Sequence, residues 1–301
     1  MKAVLFVFLD GVGIGPRDPD RNPFFAARLP VLHRVLGGGL PHTDSPLVQG
    51  PEGVAFPLDA CLDTDGTPQS GTGQISLLTG RNAARIFGRH FGPWPPVRLR
   101  PLLAEENLLV TAGRRGIRVR FANAYPEGYV ERTRSRFLAA PPLAAHAAGA
   151  LVHHGDALAR GDAVASEIVN TRWRQEGARG DVPEVSPEEA GRNLARLART
   201  AELTLYAHYA TDWAGHRGGH GGAVQALERV DRFLGGVVED LAPGTTLLVT
   251  SDHGNVEEVG RGHTRNPALG MAVGPEAAVL ARDLASLLHV APTLLRLLDP
   301  G

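Results

Sequence analysis

The chain alternates between two hydrophobic rhythms. Residues 3–9 (AVLFVFL) form an unbroken apolar run that stops at Asp10-Gly11, as a strand buried on both faces does. The runs at 203–209 and 245–250 read the same way, and 117–123 (IRVRFAN) reads as an alternating strand. Between them the spacing becomes helical. Residues 24–36 read as a helix in two pieces broken around Pro30, and 71–80 as a helix with Ser70 near its start. Helices are also predicted over 102–114, 187–200, 223–241 and 284–298. In the 187–200 segment Pro187 suits the first turn, Glu188 and Glu189 suit the positive end of the dipole, and Arg196 and Arg199 suit the other end.

Strands that alternate with helices predict an α/β fold with a mostly parallel central sheet flanked by helices. Residues 125–185 break the rhythm with a Pro-Pro pair, an Ala-rich run and a polar stretch. They read as an insert or small cap, leaving 1–124 and 186–301 as the core. Residues 87–98 (FGRHFGPWPPVR) read as a Pro- and Gly-rich loop near the site.

Composition narrows the class. With 301 residues and 43% hydrophobic content the chain can bury a substantial core. A formal net charge of −1 gives no basic field for nucleic acid or a membrane surface, and neither partner is expected. Cys61 is the only cysteine, so no intrachain disulfide is possible. The first apolar run ends at Asp10, too short for a secretory leader, and no segment reaches membrane-spanning length. A soluble, cytoplasmic protein is expected.

Chemistry-bearing side chains fall at the strand ends. Asp10 follows the first run, Asp212 follows the run at 203–209, and Asp252 follows the run at 245–250. Ligands of open parallel sheets gather at the carboxyl ends of the strands, so these three carboxylates are expected to meet. His216 lies one helical turn from Asp212, and His263 would complete a three-ligand site. Asp252, His253, Asp10 and the Ser70 hydroxyl would hold a second ion. Mixed nitrogen and oxygen donors suit zinc or manganese, with magnesium also open. Two such ions can clamp the attacking and leaving oxygens of an in-line displacement. Ser70 is the candidate nucleophile and Thr72 its competitor. Gly71 and Gly73 would let the backbone approach a phosphate at the helix start. The DGVGIG run is not a dinucleotide loop, because Pro16 stands where its third glycine would be.

Taken together, LFVFLDGVGIG, DWAGH, TSDHGN, GHTRNP and the closing HVAPTLLRLLD resemble the alkaline phosphatase superfamily of metalloenzymes. In wording they are most similar to cofactor-independent phosphoglycerate mutases and phosphopentomutases. The resemblance spans the first ninety or so residues and everything from about 187 onward. It implies an alkaline-phosphatase-like three-layer sandwich. It implies two divalent metal ions, one on Asp212, His216 and His263, the other on Asp10, Asp252, His253 and Ser70. Counting back from Thr79-Gly80 places the nucleophile at Ser70. The SGTGQ run lacks the Cys/Ser-x-Pro-x-Arg motif of the sulfatase relatives. The insert is shorter than the cap of the mutases, and their asparagine-serine-glutamate nucleophile segment is absent.

The expected activity is phosphoryl transfer on a small phosphorylated substrate through a phosphoserine. A true intramolecular mutase acting on phosphoglycerate or a pentose phosphate is the alternative, and a non-catalytic metal-stabilised module is a third reading. Arg85, Arg89, His90, Arg132, Arg134 and Arg172 are candidate substrate contacts.

Overall fold

A computed structural model describes residues 2–133, 137–175 and 182–299. Among them are strands β1 (Ala3–Leu9), β2 (Val48–Gln49), β3 (Gly53–Leu58), β4 (Val119–Phe121), β5 (Leu203–His208), β6 (Thr245–Thr250) and β7 (Ala268–Val273). They form one seven-stranded sheet in the order β2-β3-β7-β6-β1-β5-β4. β1 lies at its heart, parallel to β5 on one side and β6 on the other, and β4 continues the parallel half. β7 runs antiparallel to β6 and to β3, and β2 closes that edge antiparallel to β3.

The helices of the first half are α1 (Pro30–Val35), α2 (Ser70–Thr79), α3 (Ala83–Phe87), α4 (Arg100–Glu106) and α5 (Leu108–Arg114). Residues 125–185 carry α6 (Tyr129–Arg132), α7 (Ala140–Ala147), α8 (Gly155–Arg160) and α9 (Thr171–Gln175). The second half carries α10 (Pro187–Ala198), α11 (Ala210–Arg217), α12 (Gly219–Asp240), α13 (Ala277–Asp283) and α14 (Leu287–Leu297). Because strand side chains alternate, β1 feeds both faces of the sheet. Val4, Phe6 and Phe8 pack with Ile75 and Leu77 of α2, Leu103 of α4, Leu108 of α5 and Leu294 of α14. Leu5, Val7 and Leu9 pack with Val35 of α1, Leu194 of α10 and Leu227, Phe233 and Val237 of α12. Two apolar layers on either side of one sheet make the three-layer sandwich.

Local sequence explains most boundaries. Pro30 opens α1 and does not interrupt it, and Asp231 of α12 accepts hydrogen bonds from Val31 N and Leu32 N at that start. Ser186 caps α10 by accepting from Glu189 N at 3.1 Å. The helix predicted over 102–114 is instead two. Asn107 adopts an extended ψ of 156°, and its side chain accepts from Leu109 N and Val110 N, ending α4 and starting α5. The antiparallel half of the sheet was not foreseen. Gly53 and Pro57 in β3 and Gly270 in β7 blur the apolar rhythm that marks the other strands. Gly270 is there because a Cβ would overlap the Phe56 ring on the neighbouring strand.

Within residues 125–185, α7 packs on α2, α4 and α5. Ala124, Ala157, Leu158, Ala163, Ala165 and Val182 form a small apolar cluster of their own. No helix among the described residues is long and apolar enough to cross a membrane.

Candidate metal centre

The carboxyl ends of β1, β5 and β6 bring Asp10, Asp212 and Asp252 together, with α2 presenting Ser70 from its first position. The loops are stitched to one another. Thr211 Oγ1 donates to the Asp10 carbonyl at 2.6 Å. Ser251 Oγ accepts from Val12 N at 2.7 Å and donates to the His253 carbonyl. Gly11 N donates to Asp252 Oδ1 at 3.3 Å. Gly11 has φ of +69°, and a Cβ there would press into Asp212, so the turn after β1 needs both the conformation and the space that glycine provides.

Five of the seven candidate residues form two groups of donor atoms, and Asp252 and Ser70 lie beside the second. In one, Asp212, His216 and His263 have donors within 4.8 Å of one another. His216 Nε2 faces His263 Nε2 at 3.0 Å, and each lies 3.5 Å from an Asp212 oxygen. In the other, Asp10, Asp212 and His253 meet within the same limit. Asp212 therefore borders both groups, where the sequence assigned it to one. Asp252 Oδ2 lies 3.6 Å from His253 Nε2, which is 3.4 Å from Asp10 Oδ1 and 2.9 Å from Ser70 Oγ. The His253 and His263 rings stack with centroids 3.8 Å apart.

Backbone carbonyls set the histidines. Nδ1 of His263 faces the Pro68 carbonyl at 3.0 Å, and Nδ1 of His253 faces the Gly254 carbonyl at 3.2 Å. A proton on each Nδ1 leaves Nε2 with its lone pair aimed into the centre, as a ligand nitrogen requires.

The electrostatics suit a bound cation. Burial raises the Asp10 pKa well above the usual carboxylate range, and the Asp252 and Asp212 charges add to it. Burial also pushes Asp212 upward, but the His263 hydrogen bond, His253 and the Asn255 amide outweigh it and bring its pKa to about 2. His253 is lowered by burial despite the nearby carboxylates. His263 is raised, because its bond to Asp212 overcomes burial. Asp10 Oδ1 and Asp252 Oδ2 are buried without a hydrogen-bond partner among the described residues. Buried orphan carboxylate oxygens are costly alone, and divalent cations satisfy oxygen and imidazole donors of this kind.

Ser70 and Thr72 part company in the structure. Ser70 Oγ faces His253, whereas Thr72 Oγ1 accepts from Phe91 N at 3.1 Å and lies 3.4 Å from the Gln69 and Phe91 carbonyls. Thr72 thus fastens the 87–98 loop to α2. That loop does lie beside the centre, since a Cβ on Gly71 would strike the Trp94 carbonyl. Of the candidate substrate contacts, His90 bonds the Cys61 carbonyl at 3.2 Å, and Arg89 lies 6.0 Å from the Phe91 ring centroid. Arg85, Arg132 and Arg172 lie in α3, α6 and α9, and Arg134 falls outside the described residues.

Several supporting residues escaped the sequence reading. Gln74 Nε2 donates to Asp10 Oδ2 at 3.1 Å while its Oε1 accepts from Ala140 N, which joins the centre to α7. Asn255 Nδ2 donates to Asp212 Oδ1 at 2.6 Å. Gln74 sits one turn along α2 from Ser70, and Asn255 closes the TSDHGN motif, so helical spacing and motif membership were the available signals.

The family model described as the Metalloenzyme superfamily matches residues 1–299. The chain belongs to that superfamily. Among its relatives is the 2,3-bisphosphoglycerate-independent phosphoglycerate mutase of Desulforudis audaxviator, 36% identical over 124 residues, 38% of this chain and 24% of that protein. The Thiobacillus denitrificans enzyme of the same name is 39% identical over 127 residues, 38% of this chain and 25% of that protein. The chain thus spans about a quarter of the length of these relatives. A cold-active alkaline phosphatase from Shewanella sp. superposes with a TM-score of 0.54, all of both chains being covered at 13% identity. The PH0037 protein of Pyrococcus horikoshii superposes with a TM-score of 0.59 at 11% identity, over 100% of this chain and 98% of that one. These likenesses establish the alkaline-phosphatase-like sandwich expected from the motifs.

Proposed function

We propose that the chain is a dinuclear-metal phosphotransferase or phosphohydrolase acting on a small phosphate ester, with Ser70 as nucleophile. One observation carries this reading: the Ser70 hydroxyl stands 2.9 Å from His253 Nε2, beside the Asp10, Asp212 and His253 group, at the first position of a buried helix. Divalent ions held by the seven residues would acidify that hydroxyl and offset charge on the phosphoryl oxygens. Ser70 gives its proton to solvent, its Oγ attacks phosphorus in line, and the ester oxygen leaves with the bonding electrons and takes a proton from water. Water or a second hydroxyl then attacks the phosphoserine and frees Ser70. The positive end of the α2 dipole favours the anion throughout. Residues 125–185 would serve as the cap that receives the organic part of the substrate.

The test is to quench the manganese-loaded protein in acid during turnover of an aryl phosphate and search its peptides for phosphoserine. Phosphate is expected on Ser70, and Ser70→Ala is expected to slow turnover by at least about 10³-fold. An unmodified Ser70 peptide, or full activity in the variant, overturns the mechanism.

The identity to phosphoglycerate mutases over part of the chain favours a second reading, in which the acceptor is another hydroxyl of the same substrate. Coupled assays with 3-phosphoglycerate and ribose 1-phosphate separate the two. Isomerisation without phosphate release selects the mutase, and net release rejects it.

A further inference from the structure

Glu257 is fully buried four residues beyond His253, and the donors it collects are all uncharged. Its Oε2 accepts from Gly13 N at 3.0 Å and from Asn255 N at 2.7 Å. Its Oε1 accepts from Thr264 Oγ1 at 2.5 Å and from Asn266 Nδ2 at 3.0 Å. An ionised carboxylate in the interior is tolerated when hydrogen bonds replace its lost water, and four do so here.

The identity of the donors matters more than their number. Gly13 stands three residues after Asp10, Asn255 two after His253, and Thr264 directly after His263. Asn255 also reaches Asp212 through its side chain. One carboxylate therefore holds the three loops that carry the ligands of both groups. The chain clears room for it: a Cβ on Gly13 or Gly254 would overlap the Glu257 carboxylate, and one on Gly15 would lie 2.7 Å from its Cγ. The neighbouring Glu258 is only partly exposed and pairs with Arg21 and Arg261, its Oε1 also accepting from Asn266 Nδ2 at 3.1 Å.

We propose that Glu257 is a positioning residue for the metal centre, a buried tie that keeps the Asp10, His253 and His263 loops in register so that their donor atoms converge on the cations. This rests on reading the centre as a divalent-metal site. Groups that orient metal ligands from behind typically change affinity by about 10–100-fold when removed. Glu257→Gln preserves shape but turns one acceptor oxygen into a donor facing donors. Thr264→Val removes a single tie, the one beside His263.

The experiment is calorimetric titration of chelator-stripped protein with Mn²⁺, alongside circular dichroism and thermal melting of the stripped forms. Glu257→Gln should keep the parent spectrum and bind Mn²⁺ at least about tenfold more weakly. Thr264→Val should shift affinity in the same direction by less, and Glu258→Gln should stay within about twofold of the parent. A folded Glu257→Gln protein with parental affinity overturns the proposal, because a purely structural role lowers stability without touching the affinity of the folded form. If Glu257→Gln fails to fold, Thr264→Val decides, and unchanged affinity there overturns the proposal equally. A parent that binds no Mn²⁺ overturns the metal reading and this inference with it.

Discussion

Asp10→Asn should stabilise the metal-free protein and destabilise the metal-loaded one relative to its parent. Asp10 is buried, and burial with the Asp252 and Asp212 charges raises its pKa. A folded state that binds the proton more tightly than the unfolded state gains stability as pH falls. The penalty is thus complete above the folded pKa, fades as pH drops through it, and is gone below the unfolded value near 3.8. Asparagine removes that penalty and fits the partners. Its oxygen can keep the 3.1 Å bond from Gln74, and its amide then replaces Asp10 Oδ1, which like Asp252 Oδ2 lies beside His253 Nε2. Relief of strained active-site groups commonly yields about 0.5–2 kcal/mol. In a chain of this size each kcal/mol is worth about 2 °C, so the chelated variant should melt roughly 1–4 °C above the parent at pH 8. The gap should narrow on acidification toward pH 5. Saturating Mn²⁺ reverses the order, since a ligand at 100 times its Kd adds about 2.7 kcal/mol to the parent and less to a variant lacking one donor. Differential scanning fluorimetry with chelator or Mn²⁺ reads both signs. A chelated variant that melts below the parent at every pH refutes the idea that the unfilled centre stores repulsion.

Asp212 borders both donor groups and His216 only one, so inductively coupled plasma measurements should find about one equivalent of manganese lost in His216→Ala and both weakened in Asp212→Asn. Asp231→Ala removes the acceptor for two amides at the start of α1 and should cost about 0.5–2 kcal/mol in urea denaturation with turnover unchanged. Gly236→Ala should destabilise although alanine is the better helix former by about 1 kcal/mol, because its methyl would overlap the Glu188 carbonyl where α10 and α12 touch backbone to backbone. A raised melting temperature would reject that account.

How far the sequence could be read depended on how local each signal is. The central strands β1, β5 and β6 are continuous apolar runs, and the residue or loop just past each run carries candidate ligands. Strand periodicity and a strand-end rule were therefore enough to place Asp10, Asp212 and Asp252 together. The edge strands are different, because β3 holds Pro57 and β7 is interrupted by Gly270, which makes room for Phe56. Their strand character comes from pairing partners far along the chain, which no local pattern displays. The same distinction runs through the site. A candidate ligand such as His263 announces itself by residue type, whereas Glu257 looks like one acidic residue of a Glu-Glu pair. Only the fold tells it from Glu258, by burying one and leaving the other to two arginines. Asp212 shows a further limit: a spacing of one helical turn pairs it with His216, but nothing local reveals that its other neighbours are Asp10 and His253. A carboxylate between two donor groups couples them, so filling one is expected to change the affinity of the other, a coupling that titration of Asp212→Asn with Mn²⁺ should show to be lost.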